Sequence, residues 1–229
     1  MKRWIHFAVL LCVGCSSLSS QKPADSAQVS VLPVEAVAVW SPSPQILSAI
    51  REKCGKGDPS GLNICFLSEM QSAGASPQAI TFTKLFAGNG MAYVRAFRKA
   101  GVVDIAYIEY AFRANELNGV LLVNGDPSII DVDSGEFASQ ENFSKNPAYT
   151  ALARKYPHIS VWPGDRYHTT KPTVSHLESG GQSFVLDYVL RDGCHACAQI
   201  GTASLSFTFD QHGRFNGVQA GPIVPSPLN

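Results

Sequence analysis

The clearest hydrophobic pattern lies in the C-terminal third of the chain. In 183–190, apolar residues alternate with Ser183, Val185, Asp187 and Val189, and in 202–210 apolar and polar residues alternate. The apolar set is Phe184, Leu186, Tyr188, Leu190, Ala203, Leu205, Phe207 and Phe209. In the second stretch, Ser and Thr fill the positions between them. A period of two predicts antiparallel strands with one buried face and one face toward water.

Shorter strands are predicted before and after this pair. Residues 91–97, 102–112 and 120–123 are rich in Tyr, Val, Ile and Phe, and turn residues at 99–101 and 115–119 separate them. Residues 129–132 are a candidate fourth strand. A turn at 211–213 leads into a last strand near 214–218.

Four helices are predicted from their start signals. Ser43-Pro44, Ser76-Pro77 and Asn146-Pro147 each place a capping side chain before a proline at the first helical position, and Ser60 is a fourth candidate cap. Apolar residues then recur every three or four positions. These inward-facing residues are Leu47, Ile50, Cys54, Leu62, Cys65, Phe66, Ala73, Ala79, Phe82, Phe86, Tyr149, Leu152, Ala153 and Tyr156.

Together the patterns predict the α+β class, with an N-terminal helical subdomain followed by a mainly antiparallel β-sheet and one packed helix. We expect a single domain over 44–220 and a loose Pro-rich tail over 221–229. Residues 15–43 are expected to be a flexible tether, within which the more apolar 29–40 is a candidate for an added strand.

The N-terminus has the pattern of an export signal. Lys2 and Arg3 precede an apolar run over 4–13, which is too short to span a bilayer stably. The following Val13-Gly14-Cys15 resembles the lipobox of bacterial lipoproteins, although Cys12 stands where that family usually has Leu. The resemblance implies a signal peptide over 1–14 and a lipidated Cys15, and Ser16 resembles the sorting signal for the outer membrane. If Cys12 prevents this processing, the chain is released as a soluble periplasmic protein.

Composition narrows the possible partners. The chain has 18 Lys plus Arg against 18 Asp plus Glu, so no basic excess favours nucleic acid. The expected partners are the membrane, through the N-terminal lipid, and an envelope protein or a small ligand. No cofactor is expected.

The six cysteines divide by position. Cys12 leaves with the leader and Cys15 carries lipid, so Cys54, Cys65, Cys194 and Cys197 remain. Four cysteines allow three pairings, and in an oxidising compartment we favour the pairing of nearest neighbours.

Cys194-His195-Ala196-Cys197 is the sharpest candidate for chemistry. A pair of this spacing is found in thiol–disulfide oxidoreductases, where a helix N-terminus stabilises the thiolate. Here the motif joins two predicted strands, which favours a structural disulfide that closes a hairpin turn. Redox activity of Cys194 and Cys197, and metal binding by Cys194, His195 and Cys197, are the alternatives.

The other polar motifs are weaker. Residues 131–135 resemble the start of a calcium loop, but Gly135 and Asn142 stand at its fifth and twelfth positions, where that loop needs acidic ligands. Glu109, Arg113 and Glu116 flank the end of a predicted strand and are a candidate polar site.

The sequence therefore predicts an exported lipoprotein that acts by binding or in envelope assembly. A thiol–disulfide oxidoreductase and a metal-binding protein are the rival hypotheses.

Overall fold

The computed structural model describes residues 33–56, 61–87, 90–113, 117–164 and 171–227. The predicted signal peptide, Cys15, Glu116 and the candidate cap Ser60 lie outside these ranges.

Three helices form the N-terminal part of the fold. They are α1 (Pro44–Gly55), α2 (Leu62–Ser72) and α3 (Pro77–Leu85), and a short 3-10 helix at Ala36–Ala38 precedes them. Ser43 accepts a hydrogen bond from the Ile46 amide at 3.3 Å, and Ser76 accepts one from the Ala79 amide at 3.0 Å. Both predicted caps are confirmed, because each side chain satisfies an amide that the helix leaves unpaired.

The first sheet has four antiparallel strands in sequence order: β1 (Ala92–Arg98), β2 (Asp104–Tyr110), β3 (Asn118–Val123) and β4 (Ile129–Asp131). Successive side chains of β2 and β3 are buried on opposite faces, so the sheet is covered on both sides.

The second sheet has five strands: β5 (Ile159–Pro163), β6 (Thr173–His176), β7 (Gln182–Asp192), β8 (Gln199–Phe209) and β9 (Phe215–Pro225). The order is β5-β7-β8-β9, and all pairs are antiparallel. β6 also pairs with β7, along 182–185, whereas β5 pairs with 188–192. β5 and β6 therefore form one edge of the sheet in two consecutive pieces. Two helices precede it, α4 (Gln140–Phe143) and α5 (Pro147–Lys155).

Three hydrophobic clusters hold these layers together. One face of each sheet shares the largest cluster with α4 and α5. The other face of the first sheet packs against α3 and the 3-10 helix. A third cluster joins α1, α2 and α3 to β1 around Trp40, Phe66 and Tyr93. The layers are thus helices, first sheet and second sheet.

The α+β class and the antiparallel pairing are confirmed, and the strands are divided between two sheets that pack on each other. The division follows from burial: β2 and β3 are apolar at nearly every position, whereas β8 is apolar only at every second one. A strand of the first kind needs cover on both faces, and a strand of the second kind needs it on one.

Two expected boundaries are corrected. The tail after 220 is not loose up to its end, because β9 continues through Pro225 and pairs Ile223 with Ala203. Pro225 is accommodated because β9 is an edge strand, where a missing amide breaks no ladder. At the other boundary, Val34 and Trp40 are buried, so 33–43 belongs to the fold. Its only strand-like contact among the described residues is a parallel bridge from Val39 to Val94.

No helix within the described ranges combines the length and the apolar character that a membrane crossing requires.

Candidate functional site

The second sheet has one face directed away from the hydrophobic cluster that it shares with the first sheet. We call this the outer face, and it consists of residues from β7 and β8 that stand opposite one another in register. The pairs are Ser183 with Thr208, Val185 with Ser206, Asp187 with Ser204, and Val189 with Thr202. Six of these eight residues are polar, because this is the polar half of the alternation in both strands.

The outer face carries hydroxyl groups and is partly exposed, with Ser183 and Val189 buried. Thr202 and Asp187 are exposed, and Ser204, Ser206 and Thr208 are half-buried. The Ser183 and Ser206 hydroxyls lie 2.8 Å apart, and the Thr208 hydroxyl donates to the Gly217 carbonyl at 3.3 Å.

Two glycines of the neighbouring edge strand place no side chain beside the hydroxyls of β8. Gly217 of β9 stands opposite Thr208, and Gly221 adjoins Ser204, where an added side chain would collide with the hydroxyl oxygen. At these two positions β9 places no side chain beside the hydroxyls, whereas Gln219 and Val224 stand opposite Ser206 and Thr202.

Trp162 and His195 form an aromatic corner at one end of the outer face. Trp162 lies on β5 opposite Val189, and its ring centroid is 4.7 Å from that of His195. The indole N–H donates to the Ser160 hydroxyl at 2.7 Å, which fixes the ring's orientation. Both rings are half-buried. We call Ser160, Trp162, Arg191 and His195 the corner.

Arg191 is the charged member of the corner. It stands opposite Ser160 in the β5–β7 ladder, and only 8% of its surface is exposed. Its Nη1 donates to the Cys197 carbonyl at 2.9 Å, and its buried Nε has no hydrogen-bond partner. Among the described residues no carboxylate forms an ion pair with it. A buried guanidinium with so few partners is unusual, since burial of a charge is costly unless it is paired.

The Cys194–Cys197 disulfide closes the turn that carries His195. The turn joins β7 to β8, the two Cα atoms are 5.0 Å apart, and the Cys197 amide donates to the Cys194 carbonyl at 2.9 Å. The cysteines begin no helix, so no helix dipole acts on them. The second disulfide, Cys54–Cys65, joins the end of α1 to α2 with Cα atoms 5.7 Å apart. Both predicted pairings are confirmed.

The predicted polar site at the end of β2 is not assembled as expected. Glu109 pairs with Arg51 of α1 at 3.3 Å, while the Arg113 guanidinium lies 3.4 Å from the centre of the Tyr110 ring. Glu109 and Arg113 thus each contact a different partner.

Arg113 instead shares its surroundings with the residues of the calcium-like motif. Desolvation raises the pKa of Asp131. The hydrogen bond from the Asp133 amide and the charge of Arg113 act in the opposite direction, but they are smaller. Burial, with the charge of Asp131 next in size, raises the pKa of Tyr110 to about 12. Within the described ranges, no three His, Cys, Asp or Glu side chains are grouped as a metal site. With Cys194 and Cys197 bonded to each other, His195 is the one member of the predicted metal set outside a disulfide.

Sequence reasoning did not identify Trp162 and Arg191. A signal existed for Arg191, because it continues the alternation of β7 on the polar side immediately after the apolar Leu190. Trp162 carried no signal beyond its place before Pro163-Gly164.

Comparison with protein-family models, with curated proteins and with solved structures finds no match to this chain.

Proposed function

We propose that this protein is exported, anchored to the bacterial outer membrane through lipid on Cys15, and acts in the cell envelope by binding rather than by catalysis. The observation that carries the binding role is the outer face of the second sheet. The first sheet is covered on both sides, whereas the second directs a row of hydroxyls away from the shared cluster, with Thr202 exposed and Ser204, Ser206 and Thr208 half-buried.

The disulfides support the compartment. Both cysteine pairs of the described chain are bonded, and disulfides persist in oxidising compartments such as the bacterial periplasm. The positively charged start and the short apolar run of the leader support export. Several acyl chains on one cysteine would anchor the protein firmly.

Three carboxylates of the described chain have structural partners. Asp104 accepts the Ala100 amide at 2.8 Å and Asp210 accepts the Arg214 amide at 2.9 Å, so both carboxylates hold turns. Glu109 holds Arg51 of α1 against the first sheet. These groups are used to support the fold.

Sedimentation of the purified protein with insoluble cell-wall polysaccharide tests this role. The double variant Thr202→Glu/Ser204→Glu places two carboxylates on the outer face, and we expect at least a tenfold loss of affinity. The matched control, Ser68→Glu/Ser72→Glu, makes the same change on exposed positions of α2 and should bind like the wild type. Equal binding by both variants would contradict the proposal.

A thiol–disulfide oxidoreductase is the second candidate, and the exposure of Cys194 beside His195 favours it. The strand–turn–strand setting favours a structural bridge, because no helix N-terminus stabilises a thiolate there. The reduction potential of this pair separates the two. A structural disulfide lies below about −300 mV, and a value well above that would favour the enzyme.

A further inference from the structure

We propose that the corner is a subsite for a sugar ring that carries a carboxylate, with the ring on Trp162 and the carboxylate on Arg191. This inference rests on the proposed binding function and adds the chemical class of the ligand.

Arg191 determines the charge of the ligand. Its guanidinium has five N–H donors, and the described chain uses one of them, on the Cys197 carbonyl. The residue is more than nine-tenths buried, and its buried Nε donor has no hydrogen-bond partner. A carboxylate carries the opposite charge and accepts two parallel hydrogen bonds from a guanidinium, and Arg191 has donors that no described residue uses.

Trp162 determines the shape of the ligand. Its indole is held by the hydrogen bond to Ser160, and the His195 ring lies beside it at an interplanar angle of 48°. A fixed, half-exposed aromatic ring offers a flat apolar surface at little cost in side-chain entropy. The apolar face of a sugar ring matches such a surface, and its hydroxyls remain available to polar neighbours.

The register of the second sheet extends the site from the corner. Trp162 stands opposite Val189, and Val189 stands opposite Thr202. Two strand spacings, about 10 Å, therefore separate Trp162 from the first hydroxyl of β8. A ligand of several sugar rings that binds at the corner reaches the Thr202 hydroxyl first, and beyond it passes Asp187, which stands opposite Ser204.

Calorimetric titration of the purified protein with trigalacturonic acid and with its methyl ester tests the inference. The ester keeps the sugar rings and removes the charge. We expect the wild type to bind the acid at least tenfold more tightly than the ester. Arg191→Gln should reduce the affinity for the acid to that for the ester and leave the ester's affinity unchanged. Trp162→Ala should weaken both ligands.

Arg214→Gln is the matched control, because Arg214 is an exposed arginine at the turn between β8 and β9 and is paired with Asp210 at 3.0 Å. It should bind the acid like the wild type. If thermal melting shows that Arg191→Gln does not fold, Arg191→Lys takes its place, because it keeps the charge without the paired donors. For this variant, the ratio of the affinity for the acid to that for the ester should fall at least to the square root of the wild-type ratio.

Three results would overturn the inference: no binding of the acid, equal binding of acid and ester by the wild type, or equal weakening of both ligands by Arg191→Gln. The proposed function fails separately. If trigalacturonic acid does not bind but Thr202→Glu/Ser204→Glu still abolishes binding to cell-wall polysaccharide, the outer face remains the binding surface and only the acidic subsite is wrong.

Discussion

Single buried polar side chains connect the layers of this fold. Gln182, only 2% exposed, accepts hydrogen bonds from the Val102 and Val103 amides at 2.9 and 2.8 Å. Its side-chain amide donates to the Ala100 and Val103 carbonyls at 2.9 and 3.2 Å. One residue of the second sheet thereby satisfies the turn between β1 and β2 of the first.

Replacing Gln182 by Ala should lower the free energy of unfolding by about 2–4 kcal/mol, because buried amides and carbonyls lose their partners. Urea denaturation measures this loss. Gln219→Ala, on an exposed position of the same sheet, is the control and should change stability by no more than about 0.5 kcal/mol. Equal losses of unfolding free energy in the two variants would show that the Gln182 hydrogen bonds do not contribute to stability as expected.

Asp131 should make stability depend on pH. Its pKa is raised in the folded protein by desolvation, so the folded state holds the proton more tightly than the unfolded state. Its destabilising effect is therefore absent at low pH and develops as pH rises from the usual pKa of 3.8 through the raised one.

Asp131→Asn removes this titration and can keep the hydrogen bond from the Asp133 amide. Relative to the wild type, the variant should gain stability as pH rises from 3.5 to 7, measured by urea denaturation at each pH. A stability difference that is constant over this range would contradict the pKa direction.

At the scale of elements, four of the helices could be predicted closely, whereas α4 and some of the strands could not. Caps such as Ser43 and Asn146 act on amides two or three residues away, so sequence alone contains the interaction. β5 and β6 were missed, because five- and four-residue edge strands show little alternation and are defined by their pairing with β7.

The two disulfides should differ in their contribution to stability. The Cys54–Cys65 bridge spans 11 residues of sequence and the Cys194–Cys197 bridge only 3. By loop entropy, removing the first should cost about 2–3 kcal/mol and removing the second about 1–2 kcal/mol. Cys54→Ser/Cys65→Ser and Cys194→Ser/Cys197→Ser, compared by denaturant unfolding, test this order, and the reverse order would contradict it.

The last segment of β9 should contribute to stability. Ending the chain after Ala220 removes the pairing of 223–225 with β8 and the burial of Ile223, which is 8% exposed. We expect a loss of at least about 2 kcal/mol, from the buried side chain alone. Ending the chain after Ser226 keeps the strand and should leave the melting temperature unchanged. If both truncations melt like the full chain, the pairing of this segment is unimportant.

At the scale of the whole molecule, the class could be predicted, but the division into two sheets and the corner could not. The sequence does not show which strands share a sheet. β4 pairs with β3 in the first sheet, whereas the next strand, β5, pairs with β7 in the second. The corner likewise joins β5 to the turn after β7, which brings Trp162 to His195 across 33 positions. The motif around His195 was visible in the sequence, but its aromatic partner was not.

The central proposal is that this chain is an exported lipoprotein whose folded domain works in an oxidising compartment. Intact mass spectrometry of the protein purified without reductant from a bacterial envelope tests it most directly. We predict a chain that begins at Cys15, carries lipid there, and has Cys54, Cys65, Cys194 and Cys197 joined in two disulfides. A chain that retains Met1 or the leader, with these four cysteines as free thiols, would contradict the account.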